Sequence, residues 1–331
     1  MNLCLKEKEL IEVSKHDIES IAILPPSQGS KIILGDRNKK VYLVHLSNDL
    51  VNSSSKVLKA YDEQHRKRVT DVEYSSEGDK IISVSADNQM IIWDKETKQC
   101  FKTTGHNRTI TSVTINSACN KIVTGSEDSS FVLWNTLGKQ IAIFDKSIEH
   151  SHKSWVNDVG FVPNSKDILV TASEDGTVKI WDLDANVLLK TFFKGMVVDY
   201  EKAKENKTPV QDFDFECAVK AIAFSKDGSL LAYGGRNSKV YILNLNKGEL
   251  LLEIDVQAPV TALSYGETQP LIAIAVPNKV LIWNIFESKM VGDYTFASKG
   301  ESYCRSLGFV GDEIVAGLEG GKVARIEVSK N

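Results

Sequence analysis

One pattern, written three times, most constrains what this 331-residue chain can fold into. In its clearest form His152, in SHKSWVNDV, leads into SEDGTVKIWDL, Ser173 to Leu183, where Asp175 and Trp181 stand six residues apart. Val170 and Thr171 end one apolar run and Asp175-Gly176 supplies turn chemistry. Thr177 to Trp181 then alternates β-branched and long side chains, so the stretch reads as strand, tight turn, strand. The same order returns as His106, Asp128 and Trp134 in SEDSSFVLWN, and as His65, Asp87 and Trp93 in SADNQMIIWD. His-to-Asp spacing is 22, 22 and 23 residues, and Trp93 to Trp134 is 41.

A period of this length, opened by histidine and closed by Trp-Asp or Trp-Asn, is the signature of a WD40 β-propeller blade. A repeated His/Asp pair also invites a catalytic reading. The structural reading is the better one, because buried polar side chains must find partners. In this motif Asp, His and Trp form a hydrogen-bonded relay that locks each blade's turn. The expected fold is therefore all-β, a single propeller whose four-stranded sheets pack face against face.

Composition is consistent with that. Lys and Arg number 40 against 44 Asp and Glu, so any basic surface must be local. The five cysteines, Cys4, Cys100, Cys119, Cys217 and Cys304, are scattered and form no Cys-x-x-Cys pair, which argues against a disulfide framework or a zinc site. No basic start is followed by an apolar run, and no stretch of about 20 apolar residues exists. The expectation is a soluble, cytoplasmic protein with no cofactor, no metal and no membrane partner.

Taken in order, blade one is expected over about 16–50, with SIAIL, KIILG and KVYLVHL as strands. Its Trp position is Val44 and its Asp position Asn38, so the relay is lost, and its turn, Gly35-Asp36-Arg37-Asn38-Lys39-Lys40, is basic. Blade two (65–104) opens with His65-Arg66-Lys67-Arg68, blade three (106–148) with His106-Asn107-Arg108, and blade four spans 152–193. Trp181 to Trp283 is 102 residues, with Leu243 at the repeat position between them. About twenty extra residues, Gly195 to Phe215, are thus expected as a surface insertion before blade five (217–255). Blade six (258–297) keeps Trp283 but has Pro277 at the Asp position. Blade seven (302–329) supplies three strands, and residues 3–13 are expected to add the fourth and close the ring, seven blades in all.

Residues outside the repeat resemble one family. LWNTLGK (Leu133 to Lys139), SHKSWVNDVGFVPNS (Ser151 to Ser165), DGSLLAYGGR (Asp227 to Arg236), NKGELLLEID (Asn246 to Asp255) and VLIWNI (Val280 to Ile285) are similar to the receptor for activated C kinase, the Gβ-like protein of the small ribosomal subunit. The resemblance implies a seven-bladed propeller without catalytic activity, acting as a monomer on the head of the 40S subunit near the mRNA exit. There it would touch 18S rRNA and head ribosomal proteins and dock translation-control or signalling proteins. The family's ribosome contact is an Arg-x-Lys pair in the turn between the second and third strands of blade one, which falls on Arg37 and Lys39. The blade-six tyrosines linked to kinase signalling fall on Leu252 and Pro270.

Charge placement points the same way. In a propeller that turn and the loop leading into the next blade share a face. Arg37, Lys39 and Lys40 are thus expected beside Arg66, Lys67 and Arg68, with Arg108 one blade further round, as a set of phosphate contacts that position without reading sequence. The alternative is a soluble WD40 adaptor, a Gβ subunit or a ubiquitin-ligase substrate receptor; neither fits a first blade beginning near residue 16. A propeller enzyme would need convergent His and carboxylate groups beyond the relay, and no such motif is present.

Overall fold

A computed structural model describes residues 3–24, 30–47, 54–61, 65–76, 78–94, 100–165, 167–200, 202, 214–267, 269–296 and 303–330. The strands are β1 (Leu3–Glu12); β2 (Ile18–Ile23), β3 (Lys31–Asp36), β4 (Val41–His45) and β5 (Lys56–Tyr61) in blade one; and β6 (Val69–Tyr74), β7 (Lys80–Ser85), β8 (Gln89–Asp94) and β9 (Cys100–Thr104) in blade two. Blade three holds β10 (Ile110–Ile115), β11 (Lys121–Ser126), β12 (Phe131–Asn135) and β13 (Gln140–Phe144). Blade four holds β14 (Val156–Phe161), β15 (Ile168–Ser173), β16 (Thr177–Asp182), β17 (Val187–Phe193) and β18 (Met196–Val197). Blade five is β19 (Val219–Phe224), β20 (Leu230–Gly235), β21 (Lys239–Asn244) and β22 (Glu249–Asp255). Blade six is β23 (Ala262–Tyr265), β24 (Leu271–Val276), β25 (Lys279–Asn284) and β26 (Lys289–Thr295). Blade seven is β27 (Ser306–Val310), β28 (Glu313–Gly317) and β29 (Lys322–Lys330), with β1 as its outer strand in the order β1-β29-β28-β27.

Burial explains why the blades exist only as a stack. Middle strands such as β3, β7, β11 and β15 are buried at every position after the first, because neighbouring blades cover both faces. Outer strands such as β5 are exposed along most of their length. Each of the seven apolar clusters joins two adjacent blades; one packs Ala22, Ile33 and Val41 of blade one on Val69, Val72, Ile81 and Trp93 of blade two. Another seals the ring, with Val315 and Val323 of blade seven against Ile32 and Val44 of blade one.

Closure is also polar. Arg325, 1% exposed, directs its guanidinium to Glu313 and to Glu9 on β1, and donates to the Ser47 carbonyl of blade one at 2.7 Å. β1 pairs antiparallel with β29 from Leu3↔Lys330 to Glu12↔Lys322. Residues 3–12 therefore form the closing strand that the sequence leads one to expect.

Two expectations shift. Blade one does not end at 50: its outer strand is Lys56–Tyr61, because a strand at that position is needed to pair with Val41–His45. The insertion begins as structure rather than loop, since Met196–Val197 pairs with Phe192–Phe193 as a fifth strand. Met196 and Val197 stay exposed, so that end is held by backbone pairing and by Tyr200, which stacks on His150 at 3.8 Å. The middle of the insertion lies outside the described residues, as does the short segment before blade seven.

Candidate functional site

The relay turns come first, because they fix the face on which everything else sits. His152 Nδ1 lies 3.0 Å from Asp175, His106 Nδ1 3.0 Å from Asp128, and His65 Nδ1 3.1 Å from Asp87. The backbone N–H after each histidine (Arg66, Asn107, Lys153) donates to the same carboxylate, tying the loop that leads into a blade to the turn of that blade. The sequence reading missed one member. Tryptophan does not reach histidine directly; Thr171 stands between, 2.7 Å from His152 Nε2, and Trp181 Nε1 donates to it at 2.9 Å. Thr124 repeats this for His106 and Trp134, and Ser83 holds His65 Nε2 at 2.7 Å. Trp93 meets the His65 ring edge-on, with ring centroids 6.3 Å apart. The signal was available: Ser83, Thr124 and Thr171 each stand four residues before the relay Asp and ten before the Trp.

The donors run in one direction, Trp N–H to Thr hydroxyl to His Nε2, and His Nδ1–H to Asp. A neutral imidazole satisfies all of them. Burial holds His152 below its ordinary value, outweighing the Asp175 charge that would raise it. Burial alone would push Asp175 up, but the His152 charge and hydrogen bond, the Thr177 hydroxyl and the Lys153 N–H together hold it well below the usual carboxylate range. The polar atoms of His152, Asp175 and Thr171 are thus engaged within the blade. The relay is a lock.

Where the relay is missing, other groups take its place or leave a gap. In blade one the buried Asp36 accepts from Ser14, Tyr42 and the Lys40 N–H. In blade five Tyr233, placed as Thr171 is in blade four, accepts the Gly195 N–H at 2.7 Å. In blade six Ile274 occupies that place, and the buried Trp283 indole N–H has no hydrogen-bond partner among the described residues.

The basic residues divide. Arg37, Lys39, Arg66, Lys67 and Arg108 are exposed, and Lys40 is half-buried. Gly35, just before the blade-one turn, packs so close to Val69, just after Arg68, that a Cβ would meet Val69 Cγ1 at 2.6 Å. The end of β3 and the start of β6, which carry the turn of blade one and the loop into blade two, are thus packed together. Arg37 is not a bare cation: it pairs with Asp17 at 2.9 Å, which raises its pKa further, while 53% of its side chain stays exposed. Arg68 departs from the expected set. It turns inward and lines the mouth of the axial channel.

That channel is lined by the inner strands. β2, β6, β10, β14 and β19 each carry a β-bulge at the second residue, which leaves Glu19, Thr70, Thr111, Asn157 and Lys220 unpaired in the ladder and aimed at the channel mouth. Below them Asp71 links three blades, accepting from Ser20 and from the Val113 N–H. Burial, with the Asp71 charge nearby, pushes Glu73 up to about 8.

The fold and its relay turns define a seven-bladed WD40 propeller, and the comparisons agree. The family model described as WD domain, G-beta repeat matches residues 55–94, and the one described as Nucleolar protein 10-like, N-terminal domain matches residues 115–304. A guanine nucleotide-binding protein subunit beta-like protein of Encephalitozoon cuniculi (strain GB-M1) is 37% identical, over 99% of this chain and 98% of its own length. The small ribosomal subunit protein RACK1y of Oryza sativa subsp. japonica is 34% identical, over 95% of this chain and 94% of its own. The chain belongs to this Gβ-like, RACK1 family of WD40 scaffold proteins.

Proposed function

We propose that this protein is a non-catalytic docking scaffold of the 40S ribosomal subunit, seated on its head near the mRNA exit and held by the blade-one turn. The observation that carries this reading is similarity along nearly the whole chain to a protein named as a small ribosomal subunit component. In it Arg37 and Lys39 engage 18S rRNA phosphates, with Lys40, Arg66, Lys67 and Arg108 flanking them, and head ribosomal proteins complete the seat. The protein is cytoplasmic, and the remaining rim docks translation-control or signalling proteins.

Local backbone chemistry supports the turn's role. Lys39 adopts φ 72°, and the same turn position in blades two and four holds Asn88 and Gly176. This left-handed geometry favours glycine or asparagine, so lysine here carries a conformational cost that its charge on the exposed face would offset. Exposed cations on a chain with net charge -4 suit phosphate contact. Sucrose-gradient sedimentation of a cell lysate over a salt series tests the reading. The protein should travel with 40S particles at low salt and leave them progressively as salt rises; sedimentation as a free monomer at every salt concentration would refute it.

A further inference from the structure

The channel mouth, on the face of the relay turns, is a cavity of about 540 Å³. Its blade-five wall is unbalanced in charge. Lys220 and Arg236 both pair with a single carboxylate, Glu174, whose side chain is only 9% exposed, while theirs are 35% and 50% exposed. Glu174 is held further by Asn157 at 3.0 Å, and its N–H donates to the Trp155 carbonyl. It is therefore fixed in the wall, and among the described residues the two cations share that one carboxylate as they face the cavity. Trp155 lines the same cavity and is 39% exposed, unlike the buried relay tryptophans. Across the mouth Arg68 has no carboxylate partner among the described residues.

We propose that this mouth binds an extended acidic segment of a partner protein, one carboxylate side chain against Lys220 and Arg236 and an adjacent apolar side chain on the Trp155 indole. A second acidic group on the segment reaches Arg68. The bulges of the inner strands make this a built site, because they aim the second residue of each strand at the opening rather than into the ladder. A fixed carboxylate beneath two partly exposed cations preorients them for an incoming anion, and an exposed indole beside them supplies apolar contact area at little entropic cost. Nucleic acid fits less well: Glu19 and Glu127 line the same cavity and would face a continuous row of phosphates. A peptide, carrying charge only at chosen side chains, avoids them. None of Arg37, Lys39, Lys40, Arg66, Lys67 and Arg108, the ribosome contact proposed above, lines this cavity.

The test is selection of random heptapeptides on phage against the full-length protein, followed by fluorescence anisotropy with the selected peptide. The selected set should be enriched in Asp or Glu next to an aromatic or large aliphatic residue. Arg236→Gln, Lys220→Gln and Trp155→Ala should each weaken binding by about tenfold or more. A peptide analogue with glutamine in place of glutamate should lose affinity equally, and that arm leaves the protein's fold untouched. Selection of no peptides, of peptides without acidic residues, or of peptides that bind the variants and the glutamine analogue as well as the originals would overturn the proposal. Tighter binding of a labelled short oligouridylate, lost in the Trp155→Ala variant, would overturn it in favour of single-stranded RNA.

Discussion

The Trp181 indole donates a 2.9 Å hydrogen bond to the Thr171 hydroxyl, which itself lies 2.7 Å from His152. One hydroxyl thus joins two buried polar rings that have no water to turn to. Thr171→Val keeps the shape and removes the joint, leaving an indole N–H and an imidazole nitrogen unsatisfied. The expected loss is about 1–3 kcal/mol in urea unfolding. An unchanged midpoint would mean that the hydroxyl is not the link.

Blade six supplies the control. Among the described residues the Trp283 indole N–H has no partner, so Trp283→Phe removes no hydrogen bond seen there. It should cost less than Trp181→Phe by about 1 kcal/mol or more, measured side by side in the same unfolding assay. Equal costs would show that ring volume alone decides both sites.

Much of this was legible because relay residues repeat at fixed spacing: His152, Asp175 and Trp181 announced blade four, and its copies set the count. Thr171 was passed over although Thr124 and Ser83 share its spacing, since a threonine at the end of a β-branched strand looks like strand propensity until its partners are seen. Asp36 was hidden for a related reason. It replaces the relay from the strand end, two residues before the expected Asn38, and reaches Ser14 far back along the chain. The place of Arg68 at the channel mouth was not legible either, because side-chain pattern does not encode which way a residue just before a strand faces.

The buried carboxyl of Glu73, on the inner strand β6, should make stability depend on pH. Its native value is raised to about 8 against 4.5 for an ordinary glutamate, so the native state keeps a proton that the unfolded chain releases. Its contribution is then fully present below pH 4.5 and is lost as pH rises through about 8. Glu73→Gln mimics the protonated form. The variant should match the wild type in melting temperature near pH 4 and exceed it increasingly toward pH 8. A constant difference across that range would contradict the shift.

Arg325 should be the fastener of the ring. Its guanidinium links Glu9 on the N-terminal strand, Glu313 on β28 and the Ser47 carbonyl of blade one. Arg325→Met leaves two carboxylates facing a site built for a cation, at about 3–5 kcal/mol. Protease should then remove the N-terminal strand, residues 3–12, before cutting elsewhere. Wild-type resistance in the variant would place the closure energy in the apolar cluster alone.

Co-sedimentation with purified 40S subunits, comparing wild type with Arg37→Asp, Lys39→Glu, tests the scaffold reading most directly. Both side chains are exposed in a surface turn, and although Arg37 gives up its pair with Asp17, an exposed pair of this kind is worth little to the fold. Reversing the two charges turns attraction to phosphate into repulsion. The expected result is a variant that melts within a few degrees of the wild type but remains at the top of the gradient at moderate salt, while the wild type pellets with 40S. A folded variant that still co-sediments would contradict the assignment of the ribosome contact to this turn.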